Sequence, residues 1–124
     1  MSICILLIDD EPDFLDLLQN YFSKEGHKVI AFSDPLQGLD YFKSNWYEIL
    51  LIITDWGMPN MDGLVFANQI RQLNINVKIL MLTAYDIGII KMHSGYQTAN
   101  LYRILQKPIK LLFLKKLLNE LLIE

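Results

Sequence analysis

Five polar residues with complementary chemistry each follow an apolar segment of the sequence: Asp9, Asp10, Asp55, Thr83 and Lys107. Three carboxylates brought together repel one another, which raises the pKa of at least one of them. A hard cation relieves that repulsion, and Mg²⁺ prefers a few carboxylates together with water and phosphate oxygens. A lysine adds a positive charge and a threonine adds a hydroxyl donor. Such a set of groups is suited to holding a phosphoryl group, which one carboxylate could accept as an aspartyl phosphate.

These residues can meet only if the apolar segments before them are strands of one sheet. Strands are predicted at 3–8, 28–32, 49–54, 77–82 and 101–106, and segments with helical periodicity follow them at 13–25, 35–46, 64–73, 86–96 and 109–123. Five strands that alternate with five helices predict a parallel sheet with helices on both faces. The carboxyl ends of parallel strands lie at one edge of the sheet, where ligands of such folds bind. The fourth helix is the weakest of these predictions, because Gly88 and Gly95 lower its stability.

Length and composition limit the class of protein. The 124 residues are typical of a single domain, and a hydrophobic fraction of 52% excludes a disordered chain. The formal net charge is −3 and no block of Lys and Arg occurs, so direct binding to nucleic acid or to an anionic membrane is not expected. Cys4 is the only cysteine, which excludes an intrachain disulfide. The first apolar run is too short for a membrane span, so the chain is expected in the cytoplasm.

Four motifs, in this order and spacing, carry a family resemblance. They are Ile5–Pro12 (ILLIDDEP), Asp55–Gly63 (DWGMPNMDG), Leu82–Ala84 (LTA) and Lys107–Pro108. The chain resembles the receiver domain of two-component response regulators, and the resemblance spans residues 1–124. It implies a flavodoxin-like sheet with strand order 2-1-3-4-5. It also implies a phosphorylatable signalling switch rather than an enzyme, with at most self-phosphorylation and self-dephosphorylation.

The resemblance assigns a role to each matching residue. Asp55 corresponds to the phosphoacceptor, and Lys107 and Thr83 to the lysine and hydroxyl that pair with the phosphoryl group. Asp10 corresponds to a direct Mg²⁺ ligand and Asp9 to the carboxylate that holds metal-bound water. Asp55 itself and the main-chain carbonyl of Gly57 would complete the metal site. The peptide bond before Pro108 is expected to be cis.

The resemblance also implies partners. A sensor histidine kinase or a phosphotransfer protein would donate the phosphoryl group. The fourth helix, the fifth strand and the last helix would form the surface that regulates an output partner or a C-terminal output domain, and would be a candidate surface for a homodimer. The last helix agrees with such a role, because its apolar residues spread over about half of its circumference.

Three departures from the family pattern concern signalling output and phosphoryl lifetime. Ile104 stands where an aromatic residue is usual, although Tyr102 is expected on the same face of the strand. The segment 94–100 lacks the usual Gly-Ala-Asp pattern. Gly57 and Tyr85 occupy the two positions that tune the loss of the phosphoryl group in the family.

Two other classes of function stay open from the residues alone. A receiver that acts as a constitutive interaction module would agree with Ile104, but not with a complete set of five site residues. A flavin carrier or a phosphatase of similar fold is the second alternative. The acids Asp9, Asp10 and Glu11 would repel a flavin phosphate, and a haloacid-dehalogenase-type phosphatase would place one residue between its two aspartates.

The remaining candidate residues have plain structural interpretations. His27 and His93 are predicted to be surface histidines, Cys4 to be a buried small hydrophobic residue and Asp62 to be a turn or capping residue. Trp46 is predicted to pack against the core. Trp56 is expected to lie beside the site, since it adjoins Asp55 in the chain.

Overall fold

Strands and helices alternate along the chain in a computed structural model, which describes residues 2–73 and 76–123. The predicted span of 1–124 therefore extends beyond the described residues. The strands are β1 (Cys4–Ile8), β2 (Lys28–Phe32), β3 (Ile49–Asp55), β4 (Lys78–Thr83) and β5 (Arg103–Gln106). The helices are α1 (Pro12–Lys24), α2 (Pro35–Asn45), α3 (Gly63–Leu73), α4 (Ile87–Lys91), α5 (Tyr96–Ala99) and α6 (Leu111–Ile123), and a 3₁₀ turn spans Trp46–Glu48.

The five strands form one parallel sheet in the order β2-β1-β3-β4-β5, which confirms the predicted topology. In the register of this sheet, Ile8 pairs with Thr54, Asp55 with Leu82, and Thr83 with Gln106. The ends of β1, β3, β4 and β5 are therefore neighbours. This register brings Asp9, Asp55, Thr83 and Lys107 to one edge of the sheet.

The sheet is buried on both faces, as continuous apolar strands predict. One hydrophobic cluster, here called the first cluster, packs residues such as Leu6 and Ile52 against α2, α3, α4 and α5. The second cluster packs residues such as Leu7 and Ile53 against α1 and α6. Alternate residues of each central strand enter alternate clusters, because successive side chains point to opposite faces. Buried Cys4 lies in the first cluster, as predicted.

The predicted single helix at 86–96 is wrong: the segment forms two short helices. Asp86 caps α4, since its Oδ1 accepts a hydrogen bond from Gly88 N at 2.7 Å. The helix ends after Lys91, and Gly95 then adopts a left-handed φ of 91° before α5 begins. Glycine takes that conformation without the steric cost that a Cβ atom imposes, so the chain can turn there. The described chain thus has six α-helices where five were predicted.

The boundaries of β5 change the interpretation of Tyr102. The predicted strand 101–106 would place Tyr102 and Ile104 on one face, but β5 begins only at Arg103. Ile104 packs against the first cluster, whereas Tyr102 packs against the second. The alternation of a regular strand therefore does not extend to Tyr102, and the prediction that both residues share a face is wrong.

Trp46 and the last helix both carry apolar side chains that are partly exposed. Trp46 is 49% exposed in the 3₁₀ turn before β3 and its ring meets that of Tyr47, so the predicted packing is only partial. On α6, four leucines are buried in the second cluster while Leu112, Phe113 and Ile123 are exposed. Among the described helices, none combines the length and the apolar character that crossing a bilayer requires.

Candidate functional site

Three carboxylates converge at the carboxyl edge of the sheet. Asp9, Asp10 and Asp55 each place one carboxylate oxygen within 4.8 Å of the others. Asp9 and Asp55 are only 4% and 7% exposed, whereas Asp10 is half-buried. Asp55 is the last residue of β3, and Asp9 and Asp10 lie in the turn between β1 and α1. The predicted convergence of these three residues is present in the structure.

Lys107 reaches into this cluster from the turn after β5. Its Nζ lies 2.9 Å from Asp9 Oδ2, 3.3 Å from Glu11 Oε1 and 4.0 Å from Asp55 Oδ1. The backbone N–H of Lys107 donates to the carbonyl of Thr83, which ties the turn to the end of β4. The Lys107–Pro108 peptide bond is cis, as the family pattern predicts. The lysine is therefore directed at the carboxylates by contacts at both ends.

Each buried carboxylate has one oxygen held by a backbone N–H group. Asp9 Oδ1 accepts from Glu11 N at 2.9 Å, and Asp55 Oδ1 accepts from Trp56 N at 2.8 Å. Asp9 therefore has both oxygens bonded, since Oδ2 pairs with Lys107. Within the described residues, no hydrogen bond reaches Asp55 Oδ2. Asp55 thus presents one carboxylate oxygen without a protein donor.

Burial and like charge make Asp55 and Asp9 harder to ionise than ordinary aspartates. Burial and the negative charge of Asp9 raise the pKa of Asp55 to about 6. Burial also raises the pKa of Asp9, although its hydrogen bonds to Glu11 N and to Lys107 oppose that shift. For Lys107, burial acts to lower the pKa, but the bonds and charges of Asp9, Asp55 and Glu11 hold it above its ordinary value. Lys107 is therefore charged at neutral pH.

Thr83 lies at the same edge, at the end of β4. The residue is fully buried, and its hydroxyl oxygen accepts a hydrogen bond from Tyr85 N at 2.9 Å. A hydroxyl that accepts one bond retains its own proton as a donor. Thr83 is therefore available as a hydrogen-bond donor next to the lysine that its carbonyl holds.

Tyr85 and Trp56 form a small aromatic cluster beside Asp55. The Trp56 ring lies 4.9 Å from the Tyr85 ring and 5.2 Å from the His93 ring, both in edge-to-face arrangements. A Cβ atom on Gly57 would lie 2.7 Å from Tyr85 Cε2, so the close approach of this ring requires glycine there. Trp56 Nε1 is buried and has no hydrogen-bond acceptor among the described residues. The loop after β3 is thus packed against the loop and helix that follow β4.

The prediction of a surface histidine is confirmed for His93 but is wrong for His27. The ring of exposed His93 contacts Trp56, as described above. His27 is half-buried, and its Nδ1 accepts a hydrogen bond from Ile3 N at 3.1 Å. Burial lowers the pKa of His27. By contrast, the prediction for Asp62 is confirmed, because its Oδ1 accepts from Val65 N at the start of α3.

The donor set of the site fits a hard divalent cation. Three carboxylates within 4.8 Å of one another offer oxygen ligands of the kind that Mg²⁺ prefers. Burial and, after it, the negative charge of Asp9 raise the pKa of Asp55, and a positive charge at the site opposes both effects. The predicted contribution of the Gly57 carbonyl stays a prediction, since only side-chain donors define this cluster.

Two contacts of Lys107 were not predicted from the sequence. Glu11 Oε1 is an ion-pair partner, and the Phe14 ring lies 4.2 Å from Nζ, measured to the ring centroid. The acidic run at 9–11 carried a signal for Glu11, because it adjoins the other carboxylates. No local pattern singles out Phe14, since helical spacing accounts for it as an ordinary core residue of α1.

Comparison with known proteins relates this chain to one protein family. The model of the response regulator receiver domain family matches residues 5–119. The alkaline phosphatase synthesis transcriptional regulatory protein PhoP of Bacillus subtilis is 38% identical over 82 residues, which are 66% of this chain and 33% of that protein. Sporulation initiation phosphotransferase F of the same organism is 30% identical over 81 residues, 65% of this chain and 64% of that protein. This chain therefore spans about a third of the length of PhoP and less than two thirds of the length of the phosphotransferase.

A solved structure extends the similarity to nearly the whole chain. The response regulator protein TrrA of Thermotoga maritima, in complex with Mg²⁺ and BeF, superposes with a TM-score of 0.83 at 28% identity. The match covers 96% of this chain and 98% of that one.

Proposed function

Because the chain belongs to the response regulator receiver domain family, whose members are phosphorylatable signalling switches, we propose that Asp55 is its phosphoacceptor. The observation that carries this proposal is the convergence of Lys107 with three carboxylates. Among these, Asp55 alone is both buried and left with an oxygen that accepts no hydrogen bond from the described residues. A buried carboxylate opposite a fixed positive charge is suited to attack phosphorus, because phosphoryl transfer depends mainly on positioning and charge neutralisation.

The transfer would proceed by displacement at phosphorus. Asp55 Oδ2 forms a bond to phosphorus while the bond from phosphorus to the donor, the imidazole nitrogen of a phosphohistidine, breaks and leaves its electron pair on that nitrogen. The ammonium of Lys107 neutralises charge on the phosphoryl oxygens, and the Thr83 hydroxyl donates to one of them. Attack of water on phosphorus would later release phosphate and restore the Asp55 carboxylate. Such self-phosphorylation and self-dephosphorylation would be the only reactions of this signalling domain.

A bound Mg²⁺ ion would supply additional positive charge opposite Lys107. Asp10 and Asp55 would bind it directly, Asp9 would hold metal-bound water, and the carbonyl of Gly57 would complete the set. Two observations support this assignment: both oxygens of Asp9 already have protein partners, and the relative TrrA was solved with Mg²⁺ and BeF. A bound cation would also favour the ionised form of Asp55, whose pKa is raised by burial and by Asp9, and the ionised carboxylate is the nucleophile.

The donor would be a sensor histidine kinase or a phosphotransfer protein. Phosphorylation would change the surface formed by α4, β5 and α6. That surface would contact a partner protein, a further domain or a second copy of the chain. Exposed apolar residues on and beside these elements support an interaction surface there: Tyr85 and Met92 flank α4, and Leu112 and Phe113 lie on α6.

Intact-mass spectrometry with a small phosphodonor tests the proposed function. The chain should gain one phosphoryl group in the presence of Mg²⁺ and little without it. Asp55→Asn should abolish the gain, whereas Asp62→Asn, which can retain the capping bond of α3, should label like the parent. Equal labelling of Asp55→Asn would exclude Asp55 as the acceptor.

A further inference from the structure

The ammonium of Lys107 lies against an aromatic ring that no motif of the family pattern includes. The ring is that of Phe14, in the first turn of α1, and its centroid is 4.2 Å from Lys107 Nζ. Phe14 is half-buried, packs against the second cluster and lines the same small cavity as Asp9 and Asp55. The ring is therefore part of the wall around the carboxylate site.

The polar partners of Lys107 draw its ammonium in different directions. Asp9 holds it at 2.9 Å inside the site, while the exposed Glu11 holds it at 3.3 Å on the solvent side. Asp55, the proposed acceptor, is 4.0 Å away and accepts no hydrogen bond from it. Lysine has a flexible four-carbon stem, so its position depends on what surrounds the charged end. The side chain is nevertheless only 12% exposed, so protein atoms rather than water form most of its surroundings.

We propose that Phe14 is a positioning residue for phosphoryl transfer, whose ring retains the Lys107 ammonium inside the site while that group exchanges Asp9 for a phosphoryl oxygen. The physical basis is the electrostatic attraction between a cation and the face of an aromatic ring. A carboxylate holds an ammonium through directed hydrogen bonds, whereas a ring face attracts it without fixing a single orientation. Lys107 can thus turn toward Asp55 without losing this contact and without moving out to Glu11.

This inference rests on the proposed function, and it predicts a measurable effect on rate. The attraction of a cation to a ring at such sites corresponds to a factor of about two to thirty. Phe14→Leu, which keeps an apolar side chain but removes the ring, should slow phosphorylation of Asp55 by a small phosphodonor by that factor. Phe14→Tyr keeps the ring face and should stay within about twofold of the parent.

Rates from intact-mass time courses on the parent and three variants test the proposal. Leu17→Ala is the matched control, since Leu17 lies on the exposed side of α1 and should leave the rate unchanged. Equal rates for the parent and Phe14→Leu would overturn the role of Phe14 and leave the proposed function intact. Equal slowing by Phe14→Leu and Phe14→Tyr would mean that Phe14 acts only through packing. That result would also overturn the proposal. A parent that gains no phosphoryl group would overturn the proposed function and this inference together.

A measurement on the unmodified chain covers the case in which Phe14→Leu does not fold. The ε-methylene protons of Lys107 should show NMR cross-relaxation with the Phe14 ring protons, both in the free chain and with Mg²⁺ and beryllofluoride bound. Absence of that contact in either state would overturn the proposal, because the ring must accompany the ammonium throughout the exchange.

Discussion

Lys107 donates a hydrogen bond to Asp9 but none to Asp55, the other buried aspartate of the site. Its Nζ is 2.9 Å from Asp9 Oδ2 but 4.0 Å from Asp55 Oδ1. The unphosphorylated site thus pairs its lysine with the carboxylate that we propose to hold metal-bound water, and leaves Asp55 to the weaker attraction across 4.0 Å. A phosphoryl group on Asp55 would bring oxygens toward the ammonium, and the pair with Asp9 would then open.

Mg²⁺ should raise the melting temperature, because the three carboxylates repel one another in the absence of a cation. A ligand bound only by the folded state stabilises it by about 2.7 kcal/mol at 100 times its Kd. Asp10→Ala should remove most of the gain, while Asp13→Ala, which removes an exposed acid from the first turn of α1, should retain it. Thermal unfolding with Mg²⁺, against NaCl of matched ionic strength, measures the effect. An equal gain for the parent and Asp10→Ala would contradict this ligand assignment.

The metal-free chain should lose stability as the pH rises from about 4 to 6. Asp55 has a pKa of about 6 when folded, against 3.8 when unfolded, so in that range the folded state binds the proton more tightly. The contribution is largest while Asp55 is protonated and is lost as the pH passes the folded value. Asp55→Asn should therefore be more stable than the parent above pH 6, by about 1–3 kcal/mol.

Urea unfolding at pH 4 and pH 7 without Mg²⁺ measures this difference. The advantage of Asp55→Asn should be small at the lower pH and present at the higher one. Asp40→Asn, at an exposed aspartate on α2, is the matched control and should change stability equally at both pH values. A constant advantage of Asp55→Asn across the range would show that the raised pKa is not its cause.

Trp56 should report binding at the site, whereas Trp46 should not. Trp56 follows Asp55 and its ring contacts Tyr85 and His93, while Trp46 is exposed before the amino end of β3. With Trp46→Phe, the remaining emission should change when Mg²⁺ is added. With Trp56→Phe, it should not. A Mg²⁺-dependent change that persists in Trp56→Phe would mean that the loop after β3 is placed incorrectly.

Ile104 should limit the conformational change that phosphorylation produces in β5 and α4. The family pattern has an aromatic ring here, which turns inward as the hydroxyl at the position of Thr83 moves toward the phosphoryl group. Ile104 packs against the first cluster and, being branched at Cβ, has few alternative rotamers. Tyr102 cannot replace the missing ring, because it packs against the second cluster on the opposite face.

Amide chemical shifts of the free chain and of the chain with Mg²⁺ and beryllofluoride measure that change. Shifts across β5 and α4 should be larger in Ile104→Tyr than in the parent. Tyr102→Phe, a matched change on the other face, should leave the parent pattern unaltered. Shifts in the parent as large as those in Ile104→Tyr would disprove the limiting role of Ile104.

The alternation of strands and helices and the set of residues at the carboxyl edge could be predicted from the order of amino acids alone. Continuous apolar runs such as the one that forms β1 (Cys4–Ile8) specify strands buried on both faces. Local capping chemistry such as Asp34 followed by Pro35 specifies where a helix begins. These signals lie within a few neighbouring residues, so they can be identified without knowing the fold. The strand order and the residue roles came from the four motifs together.

The contacts between individual groups at that edge depend on the folded chain and could not be predicted. Lys107 selects Asp9 over Asp55 and approaches the ring of Phe14, and Trp56 meets His93 across two loops. Each contact joins residues that are distant in the chain, and each depends on side-chain rotamers, burial and competing charges that no local pattern encodes. The position of Tyr102 is decided in the same way, because the residue at which β5 begins determines the face on which its side chain packs.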